Sequence, residues 1–186
     1  IEIVGRAAPE GQGPCAEARS ASVGYFDAMG IPLVRGRLFD ATDAAGAGRV
    51  VVVNETFARR YFPGEDPVGR QMVYNSRHQN DARRIVGVVG DVRHFALGVE
   101  PVAEFYTPQP QPPSYHGMTV VLRVGGDPMG LVAPIRALVR EMTPDAPVYN
   151  VRTIEGLVSA SVSAERFRTL LLSLFAGIAL VLAMVG

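Results

Sequence analysis

Residues 50–72 read VVVVNETFARRYFPGEDPVGRQM. The four valines at the start show no polar alternation, which predicts a strand that is buried on both of its faces. Asn54 follows directly and is the expected cap of a helix in which three aromatic residues share one face: Phe57, Tyr61 and Phe62. A Pro-Gly pair at residues 63–64 then ends the helix. Because a strand buried on both faces needs other elements on each side of it, this stretch predicts a fold that mixes strands and helices.

The N-terminal part of the chain predicts a strand, a helix and a second strand. Residues 1–6 alternate apolar and polar side chains, which is typical of a half-buried strand. Ser22 is the expected N-cap of a short helix that ends at Met29, where Gly30 can adopt the left-handed conformation. Residues 31–39 are the predicted return strand.

The C-terminal part repeats this order of elements. Residues 119–124 and 145–151 are predicted strands, and they flank a helix that Asp127 caps. Pro134 lies inside this helix, which therefore either kinks at the proline or begins near Leu131. The apolar residues of the helix form one stripe: Leu131, Val132, Ile135, Leu138, Val139 and Met142.

The residues between these two parts, about 40–117, are predicted to form an inserted lobe. They contain a second valine-rich strand over residues 84–93, a short edge strand over residues 104–107 and a proline-rich loop over residues 108–113. The predicted fold class is therefore α+β, with split βαβ units and a second α/β lobe inserted between them.

The chain ends in a long uninterrupted helical pattern. Thr153 is its expected cap, and residues 169–186 read TLLLSLFAGIALVLAMVG without any charge. As a helix at about 1.5 Å per residue they would span roughly 27 Å, close to the thickness of a bilayer core. Residues 153–168 are predicted to be a stalk helix and residues 169–186 a truncated transmembrane helix, with a buried core helix as the alternative.

Composition excludes several classes of chemistry. The eighteen acidic and eighteen basic residues cancel, so no net field favours nucleic acid or anionic lipid. Every basic residue is arginine, which excludes mechanisms that use a P-loop, Schiff-base or general-base lysine. Cys15 is the only cysteine, and this excludes an intrachain disulfide and a cysteine zinc cluster.

The histidines are too far apart in sequence to form a local metal motif. They are His78, His94 and His116, and none has another histidine three or four residues away. A metal site would require them to converge in the fold together with Asp81 or Asp91. Ordinary surface histidines are the simpler interpretation, and no metal-ligating residue is predicted.

Other candidate motifs also have simpler explanations. The glycine-rich residues 87–92 lie in a predicted strand, whereas residues 125–130 place Asp127 where a phosphate would have to bind. The tight carboxylate pairs lie in predicted turns, Glu65 with Asp66 and Asp40 with Asp43. No catalytic or cofactor-binding residue is predicted, and the sequence does not identify substrate-binding residues.

Several blocks of the chain resemble one family in the correct order. Residues 23–39 (VGYFDAMGIPLVRGRLF), residues 50–72 and residues 85–97 (IVGVVGDVRHFAL) resemble the extracytoplasmic core domain of MacB-type ABC transporter permeases. Residues 127–167 and 170–186 are similar to the end of that domain and to the FtsX-like permease helix after it. The similarity extends to the acidobacterial duplicated orphan permeases.

The resemblance implies an architecture and a mechanism. It implies a porter-like lobe with an inserted lobe over residues 1–152, preceded in the family by a further strand and helix. It also implies a non-catalytic domain outside the cytoplasm, anchored in the bacterial inner membrane, that transmits ATP-driven helix movement to substrate efflux or extraction. The implied partners are a cytoplasmic ABC ATPase, other permease helices or a second permease half, a periplasmic adaptor and, through residues 169–186, the bilayer. No cofactor and no nucleic acid is expected.

Two other functions are compatible with a domain that is attached to a membrane helix. One is an extracytoplasmic ligand-sensing module of a membrane receptor, and the other is a membrane-tethered enzyme. Arg166 and Arg168 precede the apolar run and would favour a cytoplasmic position for that end of the helix. The agreement of several blocks with one family favours the permease domain.

Overall fold

The structure is a computed structural model that describes most of the chain. The described residues are 1–5, 15–44, 46–76, 79–92, 99–109, 111, 118–159, 172–173, 175–177, 179 and 182–184. The chain divides into two compact units, of which the first contains Ile1–His94 and Glu100–Arg123 and the second contains Phe95–Val99 and Val124–Gly186.

The described part of the first unit contains one mixed sheet and two α-helices. The strands are β1 (Glu2–Ile3), β2 (Glu17–Ala21), β3 (Leu33–Gly36), β4 (Val50–Asn54), β5 (Gln71–Ser76), β6 (Gln79–Val89) and β7 (Glu104–Pro108). The helices are α1 (Tyr25–Met29) and α2 (Glu55–Tyr61), and a 3₁₀ turn covers Ala41–Asp43.

The strand order of the sheet is β1-β5-β6-β4-β7-β2, and β3 also pairs with β6. The long strand β6 runs antiparallel to β5 in its first half and antiparallel to β3 in its second half. On its other side it pairs in parallel with β4, which in turn pairs antiparallel with β7. Strand β4 therefore lies inside the sheet, as its four valines predict.

The valines of β4 alternate between two hydrophobic clusters on opposite faces of the sheet. Val51 and Val53 pack in a cluster that includes Phe57 and Phe62 of the α2 region. Val50 and Val52 belong to a second cluster, which contains four aromatic or aliphatic residues from around α1 and β7: Phe26, Ile31, Phe39 and Tyr106. Both faces of β4 are thus covered, which explains why the strand has no polar position before Asn54.

Two glycines allow β3 and β6 to approach closely. Gly36 has a φ of 73° and pairs with Gly87 in the ladder. A Cβ atom on Gly36 would overlap the Val86 carbonyl oxygen, and one on Gly87 would overlap the Arg37 carbonyl oxygen. Glycine is therefore required on both strands, because any larger residue would meet backbone rather than a movable side chain.

The predicted N-terminal elements are present but shorter than expected. The first strand is limited to Glu2–Ile3, because the chain turns at Gly5 with a φ of 86°. The prediction of Ser22 as helix cap is wrong: Gly24 occupies that position without any side-chain hydrogen bond, while the Ser22 carbonyl accepts from the Tyr25 amide. Gly30 ends the helix in the left-handed conformation as predicted.

Three strand predictions need correction. Residues 104–107 were expected at an edge, yet β7 lies between β4 and β2, and its five residues are buried. Residues 119–124 and 145–151 were expected as strands, but neither segment forms a ladder with any described residue. Alternating apolar residues favour extended backbone, but a strand also requires a neighbour to bond with, and this is not encoded locally.

The boundary predicted near residue 40 does not separate two sheets. Strand β3 precedes this boundary and strand β4 follows it, and both pair with β6. The mixed α+β class is confirmed, whereas the described strands on the two sides of residue 40 belong to a single sheet.

The second unit contains a helix that matches its prediction closely. A 3₁₀ turn over Pro128–Leu131 precedes α3 (Val132–Met142), and the Asp127 side chain accepts from the Met129 amide at 3.0 Å. The α-helix thus begins next to Leu131, as one of the two predicted alternatives required. Pro134 lies in the first turn, where a missing N–H costs no hydrogen bond.

The helix predicted after Thr153 begins where it was predicted to begin. Residues 154–159 are helical, and the Gly156 amide donates to the Thr153 hydroxyl at 3.0 Å. Residues 160–171 of the predicted stalk and membrane segments lie outside the described residues, as do several positions beyond them. In the part of the chain that is described, no helix combines the length and the apolar character needed to cross a membrane.

Candidate functional site

Asn54 connects three parts of the first unit. Its Oδ1 accepts from the Phe57 amide and from the Glu104 amide, both at 2.9 Å, and its Nδ2 donates to the Val102 carbonyl at 2.8 Å. One fully buried side chain thereby caps α2 and fixes the entry to β7. The capping role follows from the sequence, whereas the two bonds to residues about fifty positions away do not.

Glu104 is a fully buried carboxylate with partners on two strands. Arg19 of β2 donates to its Oε1 from Nε at 3.4 Å and from Nη2 at 3.3 Å, and Tyr106 donates its hydroxyl to Oε2 at 2.9 Å. Burial, followed by the nearby Glu104 charge, raises the pKa of Tyr106. Burial likewise raises the pKa of Tyr25, where the charge of Arg19 opposes the shift.

Two further side chains form hydrogen bonds between the parallel strands β2 and β7. The Thr107 hydroxyl donates to the Arg19 carbonyl at 3.2 Å, and the Ser20 hydroxyl contacts the Thr107 carbonyl at 3.4 Å. A buried carboxylate is tolerated when charged and polar donors surround it. We refer to Arg19, Asn54, Glu104 and Tyr106 as the strand-pairing cluster.

A second polar cluster closes the loop between β3 and β4. Arg37 donates to both carboxylate oxygens of Asp43, at 2.7 and 2.8 Å, and Asp43 accepts from the Asp40 amide at 3.1 Å. The hydrogen bonds from Arg37 lower the pKa of Asp43 and raise that of Arg37. Asp40 and Asp43 thus stabilise a turn, as predicted. The bidentate ion pair between Arg37 and Asp43 was not predicted from the sequence.

Asp43→Asn is expected to lower the free energy of unfolding by about 1 kcal/mol at pH 7, because the bidentate ion pair with Arg37 is lost. The pKa of Asp43 is lower in the folded than in the unfolded chain. Its stabilisation is therefore present above the unfolded pKa of about 3.9 and disappears as the pH falls through the folded pKa. Denaturant unfolding of both chains at pH 7 and at about pH 2 measures this. A stability difference that does not shrink at low pH would contradict the prediction.

Of the residues considered for a metal site, only Asp91 has a described side chain. Asp91 accepts from the Thr56 amide and hydroxyl, both at 2.8 Å, at the N-terminus of α2. The three histidines and the side chain of Asp81 lie outside the described residues. Within the described ranges, no three histidine, cysteine or acidic side chains are grouped as metal ligands would be.

Three of the six residues in the apolar stripe of α3 are exposed and three are half-buried within the second unit. The side chains of Leu138 and Met142 are 56% and 76% exposed, and no residue of α3 is buried. The predicted stripe is therefore confirmed as a helix pattern.

The first unit is thus a mixed α+β domain in which polar side chains form hydrogen bonds and ion pairs between neighbouring elements. A family model described as the MacB-like periplasmic core domain matches residues 3–162. The chain belongs to this family.

Two curated relatives and one solved structure show the range of similarity. The macrolide export ATP-binding/permease protein MacB of Agrobacterium fabrum is 28% identical over 172 residues, which cover 87% of this chain and 25% of that protein. The protein of the same name from Aggregatibacter actinomycetemcomitans is 36% identical over 67 residues, which cover 36% of this chain and 10% of that protein. The chain therefore spans a quarter or less of the length of these relatives.

The crystal structure of the periplasmic region of MacB from Actinobacillus actinomycetemcomitans is similar with a TM-score of 0.53 and 22% identity. The match covers 68% of this chain and 56% of that one. At this level of identity the comparison supports the fold.

Proposed function

We propose that this chain is the non-catalytic extracytoplasmic domain of an ABC-type permease in the bacterial inner membrane. In this role it transmits ATP-driven movements of the membrane helices to a substrate outside the cytoplasm, which is then exported or extracted. The observation that carries the proposal is the family match over residues 3–162.

The names of the relatives support the proposal that this domain is part of a larger transporter. The two curated relatives are macrolide export proteins that combine ATP-binding and permease functions. The chain covers only a small part of each relative. From this similarity we infer that it works together with a cytoplasmic ABC ATPase, with further permease helices and with a periplasmic adaptor. The transported substrate is left open.

The transition at Thr153 supports mechanical coupling. Thr153 caps a helix that is described over residues 154–159, and the sequence continues without a helix breaker into the charge-free residues 169–186. In this proposal residues 153–168 act as a stalk, residues 169–186 begin a membrane helix, and residues 1–152 form the extracytoplasmic domain. A continuous helix can transmit displacement, which a flexible linker would dissipate.

A proline in the stalk tests the coupling. In the parent permease, assembled with its ATPase in nanodiscs, spin labels at Cys15 and at a cysteine replacing exposed Tyr149 would report the distance between the two sites with and without ATP. We expect a nucleotide-dependent change in distance that Ser163→Pro abolishes, because proline breaks a helix interior.

Ile154→Pro is the matched control. Residue 154 is the first helical position after the Thr153 cap, where proline is well tolerated. This variant should keep the nucleotide-dependent change. A change that persists in Ser163→Pro would contradict coupling through a continuous helix.

A further inference from the structure

The second unit contains a pocket between the C-terminal half of α3 and the segment that follows the helix. Arg136, Arg140 and residues 144–148 line it. Pro144 and Pro147 lie in this wall, and their fixed φ angles restrict its backbone. The pocket is therefore bounded by a helix on one side and by a conformationally restricted segment on the other.

The two arginines place positive charge at this pocket. They are four residues apart on α3, so their side chains leave the same side of the helix one turn apart. Neither forms an ion pair with any of the described residues. Asp145 also lines the pocket, which leaves two guanidinium groups against one carboxylate.

We propose that this pocket binds a phosphate group. A guanidinium presents a planar fork of N–H donors that matches two oxygens of a phosphate, and two such forks can share one tetrahedral anion. The excess of one positive charge over Asp145 attracts an anionic group of this kind. The group would come either from a lipid head group or from a soluble phosphate compound. This inference does not depend on the proposed transport function.

Arginine side-chain NMR tests the pocket directly. The full chain, labelled with ¹⁵N at arginine and held in an uncharged detergent, would be titrated with inorganic phosphate at constant ionic strength. In parallel, it would be placed in nanodiscs of phosphatidylglycerol, with the phosphate-free detergent state as the reference. We expect the Nε–H signals of Arg136 and Arg140 to shift together in at least one of these arms.

Arg136→Gln, followed at the Arg140 Nε–H signal, and Arg140→Gln, followed at the Arg136 signal, should each weaken this binding by about tenfold or more, because charge-assisted hydrogen bonds are lost. Glutamine retains helix propensity, so α3 should persist. Arg152→Gln is the matched control, since Arg152 belongs to the same unit but not to the pocket. It should leave the affinity unchanged.

Each outcome has a defined meaning. Saturation by free phosphate alone identifies a soluble phosphate ligand, and a response to phosphatidylglycerol alone identifies a lipid head group. Either result supports the site. The proposal is overturned if no shift of the two signals occurs in either arm, or if the single substitutions in the pocket and Arg152→Gln behave alike. In that case the two arginines would only interact favourably with the negative, C-terminal end of the α3 helix dipole.

Discussion

Replacement of Gly87 by alanine is expected to lower the free energy of unfolding by about 3 kcal/mol, at the upper end of ordinary overpacking effects. The new Cβ atom would overlap the Arg37 carbonyl oxygen, and this atom belongs to the backbone. Relief therefore requires β3 to move away from β6, which loses the pairing of Gly36 with Gly87. Denaturant unfolding of the full chain in detergent measures the effect.

Gly48→Ala is the matched control for this substitution. A Cβ atom on Gly48 would meet nothing within 4 Å. Because the replacement also restricts the unfolded chain, its expected effect on stability is close to zero or slightly favourable. Equal effects of the two alanine substitutions would contradict the close approach of β3 to β6.

Asn54→Ala is expected to lower the free energy of unfolding by about 3–4 kcal/mol. The cap bond from the Phe57 amide contributes about 1 kcal/mol, and the two other groups that lose this partner each add about 1 kcal/mol or slightly more, at the lower end of the range for unsatisfied groups. The groups affected are the Phe57 amide, the Glu104 amide and the Val102 carbonyl. Hydrogen exchange should show reduced protection both at the start of α2 and at the start of β7.

Asn54→Asp separates the two roles of this side chain. Aspartate keeps the oxygen that accepts from both amides but cannot donate to the Val102 carbonyl. Its second oxygen would instead face that carbonyl in a fully buried position, so the loss of stability should be at least as large as for alanine, while protection at the start of α2 is retained. A cap-only role for Asn54 would instead give alanine a loss of about 1 kcal/mol and leave β7 unaffected.

The sequence predicted those features that short-range patterns determine. The buried strand at residues 50–53 follows from four apolar residues in succession, and the Asn54 cap follows from residue type and position. The left-handed Gly30 and the start of α3 near Leu131 follow from the conformational preferences of glycine and proline. In each case the residues concerned lie within one or two turns of chain.

Features that depend on distant residues could not be predicted in this way. Arg19 and Glu104 are 85 positions apart, and only the sheet topology makes them neighbours. The proline-rich sequence after β7 suggested an edge strand, yet Pro108 is simply its last residue, and the burial of Glu104 is made possible by Arg19 and Tyr106. Apolar alternation near residues 120 and 148 could not show whether a pairing strand is present.

The side of the membrane on which the domain lies can be measured at Cys15, which is exposed and is the only cysteine in the chain. Cells would carry the parent permease with its other cysteines removed, and would be treated with a maleimide that does not cross the inner membrane, with lysed cells as the control. An extracytoplasmic domain predicts labelling of Cys15 in intact cells. Labelling only after lysis would place the domain in the cytoplasm, in agreement with Arg166 and Arg168 preceding the apolar run, and would contradict the proposed function.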